Sequence, residues 1–92
     1  MPSDTVTKSV FSEEYRLLLS LLVQARKERD ITQRELGSRL GRDQSFVSKF
    51  ERGVRRLDVV EFMQVASAID VDPFDLLRQI QGRARDSKQG RS

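Results

Sequence analysis

The chain of 92 residues has no cysteine, no histidine and no tryptophan, and only two prolines. Without cysteine there is no disulfide framework and no thiolate zinc site; without histidine there is neither an imidazole ligand nor the commonest general base. No metal and no other cofactor is therefore expected. An enzyme would have to rely on Asp, Glu, Lys, Ser or Tyr in a deep pocket that a short helical chain rarely offers, so no catalytic residue is expected either. Long apolar runs are also missing. The longest, residues 17–23, is broken by Ser20 and falls short of the roughly 18 apolar residues of a membrane span. Residues 1–12 carry Lys8 as their only basic group and no apolar stretch before a small-residue cleavage site, so no secretion signal is expected and a cytoplasmic location is the default. Neither a membrane partner nor a small-molecule ligand is evident.

A chain this short should enclose one hydrophobic core, and a second, catalytic domain is not expected. The net charge of +3 is small, but it is unevenly spread. Residues 26–56 hold ten basic and five acidic groups, whereas residues 57–82 hold one basic and five acidic. A basic stretch beside an acidic one suits a polyanion-binding face with an inert back, although a solvated charged surface would look the same.

Apolar residues recur at spacings of three and four, and no alternating run is long enough for a sheet, so the fold class is all-α. The first helix should start after Ser12, with Glu13 and Glu14 in its first turn, and end near Arg29 or Asp30. Thr32 should cap the second with Glu35 closing a capping box, and Gly41 should end it in a left-handed turn. Asp43 caps a third helix that stops at Gly53. Asp58 and Glu61 repeat the capping pattern for a fourth, carrying Phe62, Val65, Ala66 and Ile69 on one face. Pro73 opens a fifth through Ile80. Residues 82–92 have almost no apolar side chains and read as a disordered basic tail, residues 1–10 as a flexible segment, and residues 11–81 as the folded domain.

Residues 41–43 are too short a joint for antiparallel helices, so the second and third must cross steeply, as in a helix-turn-helix. Leu36, Gly37 and Leu40 face inward from one, Val47 and Phe50 from the other. Glycine within a helix costs about 1 kcal/mol against alanine, and Gly37 therefore suggests a neighbouring helix too close for a side chain. At about 100° per residue, Gln44, Ser48, Arg52, Ser45 and Lys49 fall within an arc of about 140° that is wholly polar. Gln can pair with adenine N7 and N6, and Lys can donate to guanine O6 and N7, so Gln44, Ser45 and Lys49 are the candidate base readers. Ser48 and Arg52 then suit phosphate. Gln33, Arg42, Arg55 and Arg56 stand at helix starts and loops around the same face, where backbone contacts would position the protein. Phe46 lies between the arcs, and either packs beneath the turn or meets a thymine methyl. Arg26 falls within the apolar face of the first helix and Glu51 borders the core side of the third. The two should form an inward ion pair, the alternative being that Arg26 snorkels to solvent.

The segment 31–53, ITQRELGSRLGRDQSFVSKFERG, together with Arg26, resembles the Cro and phage-repressor (XRE-type) helix-turn-helix family. The resemblance spans about residues 15–80 and is looser over 57–77; where many relatives carry alanine, this chain has Gly37. It implies a five-helix bundle with the third helix in the major groove and a structural Arg26–Glu51 pair. It also places base contacts on Gln44, Ser45 and Lys49 and backbone contacts on Gln33 and around Arg42 and Ser48. The expected partner is a double-stranded DNA operator bound by a homodimer, with the protein on the nucleoid when bound. A small transcriptional regulator, repressor or autoregulator, is the expected function; an antitoxin or accessory protein-interaction module is the alternative. Leu17 and Leu21 on the first helix, and Phe74 and Leu77 on the fifth, either cover one another or leave a dimer surface.

Overall fold

The computed structural model describes the backbone of residues 12–91 and the side chains of residues 12–83. The expected flexible segment 1–10 lies outside the described residues. Among those described, every regular element is a helix: α1 (Glu13–Glu28), α2 (Gln33–Arg39), α3 (Gln44–Glu51), α4 (Val59–Ala68) and α5 (Pro73–Arg91). The described residues are all-α with five helices, in keeping with the apolar spacing. None of these helices is long and apolar enough to cross a membrane.

Each of the first four helices starts at a side-chain cap. Ser12, Thr32, Asp43 and Asp58 accept from the backbone N–H three residues on, satisfying a donor that the helix itself leaves open. The reciprocal half of the capping box forms at Asp58, where the Glu61 carboxylate accepts from the Asp58 N–H. At Thr32 the box is only half made. The Glu35 carboxylate turns instead to Arg39 one turn along, 3.2 Å away, because a cation at that spacing competes for it.

Left-handed residues end four helices. Gly41 and Gly53 have φ of 69° and 79°, and Asp30 and Asp70, at 57° and 62°, do the same work without being glycine. Aspartate tolerates this region better than most residues. After each aspartate an apolar residue closes the helix end: Ile31 donates to the Arg26 carbonyl and Val71 to that of Ala66.

The core is formed by all five helices, with Leu22, Leu36, Val47, Phe50, Val65 and Ile69 fully enclosed. Each such side chain contributes about 1.5–3 kcal/mol over its exposed state. α1 packs on α3 and α5, α2 on α3 and α4, and α4 on α5. Leu21 is partly buried against this core, so its side of α1 is covered within the chain. Phe74 and Leu77 on α5 stay exposed, as do Val59, Val60 and Met63 on α4.

Besides the half-made box at Thr32, two expectations need correction. The close neighbour of Gly37 is the turn, not a helix: a Cβ there would lie 2.8 Å from the Asp43 carbonyl oxygen and 3.0 Å from that of Arg42. The Arg42 N–H also donates to the Gly37 carbonyl at 2.8 Å, drawing the turn onto this position. The second concerns the chain from Gly82 onward, expected as an unstructured tail. Its backbone continues α5 to Arg91, since Pro73–Ile80 has already nucleated a helix and each further residue adds a hydrogen bond.

Candidate nucleic-acid interface

α3 has one wholly buried face and one open face. Val47 and Phe50 have at most 1% of their surface exposed and fix the helix to the core. Gln44, Ser45, Lys49 and Arg52 are exposed, and Ser48 is half-buried beside them. The start of α2 meets this face at Gln33, and the turn brings Arg42 to it. The predicted base readers thus share one surface with four of the predicted backbone contacts, Gln33, Arg42, Ser48 and Arg52.

The inward charges pair. Arg26 grips Glu51 through two bonds, Nε to Oε2 at 2.6 Å and Nη2 to Oε1 at 3.1 Å, and its Nη1 donates to the Ile31 carbonyl at 2.7 Å. Both side chains are over nine-tenths buried, which excludes snorkelling. The pair does not end there. Gln33 Nε2 donates to Glu51 Oε1 at 2.8 Å, and Gln44 Nε2 donates to Gln33 Oε1 at 3.3 Å. A polar chain therefore runs from the buried charges to the first residue of α3. Because Glu51 can only accept, it sets which end of the Gln33 amide faces Gln44. Helix periodicity could place Gln33 near the face but not show this second bond.

Several predicted backbone contacts already have partners. Arg55 gives Glu61 a bidentate pair at 2.8 and 2.9 Å and donates to the Arg56 carbonyl at 3.0 Å. Hydrogen bonds from Arg55, then the Asp58 backbone N–H, hold the Glu61 carboxyl down at about 2. Arg56 lies over the Tyr15 ring at 4.3 Å, and the Tyr15 hydroxyl accepts from the buried N–H of Leu57. Arg52 folds back so that its Nε donates to the Ser48 carbonyl at 3.3 Å. Arg42 is exposed, with its guanidinium 3.9 Å from the centre of the Phe46 ring. Phe46 itself is buried beneath the turn, edge-on to Phe50 at 5.5 Å, a packing role that leaves little surface for a thymine methyl. Glu61 was visible in the sequence only as a helix cap; its hold on Arg55 depends on the path of residues 53–58.

Two helices joined by a four-residue turn, with a buried inner face and an open polar outer face on the second, define a helix-turn-helix protein. A helix-turn-helix family model matches residues 22–76. Among solved structures, the chain is similar to an XRE-family like protein from Pseudomonas syringae pv. tomato str. DC3000, at 49% identity and a TM-score of 0.78, over 85% of this chain and 95% of that one. No curated protein matches. The chain belongs to the XRE-type helix-turn-helix family of DNA-binding transcription regulators.

Proposed function

We propose that this protein is a sequence-specific regulator, a repressor or autoregulator, that places α3 in the major groove of an operator. Gln44, Ser45 and Lys49 read bases, while Gln33, Arg42 and Ser48 hold the backbone. The observation that carries this is the orientation of Gln44. One of its Nε2 hydrogens is taken by Gln33, which leaves Oε1 and a second N–H for a ligand, an acceptor and a donor of the kind that adenine N6 and N7 match.

One such module has a small footprint, so two copies reading half-sites about one DNA turn apart would supply the affinity. The exposed Phe74 and Leu77 of α5 are the surface proposed for that homodimer. An accompanying location in the cytoplasm, on the nucleoid when bound, follows from the same role.

Selection of bound sites from random duplex DNA tests the proposal. Binding to the selected site should weaken steeply with salt, and Gln44→Ala or Lys49→Ala should each cost about 1–3 kcal/mol at particular base pairs. Equal, weak binding to every duplex, unchanged in both variants, would refute it. For the dimer, Leu77→Asp should dissociate the protein in analytical ultracentrifugation.

A further inference from the structure

A polar recess of about 500 Å³ opens between the turn and α3, lined among others by Arg42, Ser45, Phe46, Lys49 and Arg55. Two guanidiniums share its aromatic wall. That of Arg42 lies 3.9 Å from the centre of the Phe46 ring and that of Arg55 5.0 Å from it. Their engagements differ. Arg55 is held through both terminal nitrogens by Glu61, and Glu61 is itself fixed by the first turn of α4, accepting from the Asp58 N–H at 3.0 Å. The Arg42 side chain makes no hydrogen bond to any described residue. A guanidinium set over a ring keeps its N–H donors available for a planar or bidentate oxyanion.

We infer that Glu61 and Phe46 are positioning residues for a backbone phosphate of the duplex, which Arg42 receives in this recess beside the base readers Ser45 and Lys49. The inference rests on the DNA-binding reading and extends it to a helix outside the helix-turn-helix. α4 sets Glu61, Glu61 sets Arg55, and Arg55 closes one side of the ring on which Arg42 rests. An acidic residue beside a polyanion thereby favours its binding.

That consequence has a sign opposite to simple charge repulsion, which makes it testable with Glu61→Gln in the full chain. Glutamine can still accept from the Asp58 N–H, so α4 keeps its cap, but the charged grip on Arg55 is lost. Were Glu61 only a nearby negative charge, its removal would tighten binding to DNA. As a positioning residue, its removal should weaken binding to any duplex, whatever the sequence, by roughly two- to fivefold, the scale of one exposed cation–π contact. Phe46→Leu keeps an apolar side chain but no ring face, and should also lower the slope of log K against log salt by about 0.9, one phosphate contact. Circular dichroism melting checks that both variants are folded, and Glu61→Gln alone decides if Phe46→Leu is not. Glu61→Gln binding as tightly as the parent, or more tightly, overturns the inference while the DNA-binding reading stands. Absence of salt-dependent duplex binding by the parent protein overturns both.

Discussion

Two bidentate arginine–glutamate pairs flank α3, and their surroundings give them different work. In Arg26–Glu51 the side chains are 9% and 7% exposed; in Arg55–Glu61 they are 39% and 17% exposed. The buried pair joins α1 to the last residue of α3, with every remaining polar group satisfied by the Ile31 carbonyl or Gln33. The outer pair joins a loop to the first turn of α4, in contact with water. Loss of one partner of the buried pair strands a charge away from solvent, at a cost of about 3–5 kcal/mol. Arg26→Ala and Glu51→Ala should therefore each lower the unfolding free energy by that much, read as a lower urea midpoint at constant slope, and unchanged melting of both would break the comparison at its strongest point. Replacing both partners by apolar residues, Arg26→Met with Glu51→Leu, should cost less than either single change, because no charge is then left unpaired.

Gln33 lies between the two regimes. It bonds the buried carboxylate on one side and the exposed Gln44 on the other. Gln33→Ala should cost about 1 kcal/mol of stability, the net value of a hydrogen bond to a partly enclosed group, with base preference at the Gln44 position loosened. A site selection identical to the parent's would show that Gln44 needs no support. Arg55→Ala should cost still less, since an ion pair open to water gains little and is screened by salt. Its effect should appear in DNA affinity instead. With these outcomes the buried pair would govern folding and the outer pair DNA affinity.

Local chemistry made most of the fold legible in the sequence. Ser12, Thr32, Asp43 and Asp58 act within one turn of their own position, as does Pro73, and the left-handed glycines 41 and 53 need no distant partner. The Arg26–Glu51 pair was legible because two charges on apolar arcs have nowhere else to go. What stayed hidden depends on how loops travel. Glu61 and Arg55 are six residues apart across an irregular segment, and no periodicity relates them. Asp30 and Asp70 replace the glycine that usually marks a helix end. Glu35 was expected to close the box at Thr32, and its carboxylate accepts instead from Arg39 one turn along. The open and covered apolar residues, Phe74 against Leu21, separate only once α5 is placed on α1.

The smallest expected effect isolates the charge of the outer pair from its packing. The Glu61 carboxyl lies at about 2 against an ordinary 4.5, held there first by the hydrogen bonds from Arg55, then by the Asp58 N–H and the nearby Arg42 charge. The same bonds raise the Arg55 guanidinium further above its ordinary value, so Arg55 stays charged throughout. A carboxyl depressed on folding stabilises the native state fully above its unfolded value and loses that contribution as pH falls through the folded one. The stability from this pair should therefore be complete above 4.5 and fade towards about 2. Glu61→Gln has nothing to titrate there. Thermal midpoints of parent and variant, measured side by side across this window, should differ near neutrality and converge in acid. A gap that stays constant to the lowest pH would mean that Glu61 acts through shape and capping alone, and that only the buried pair uses its charge.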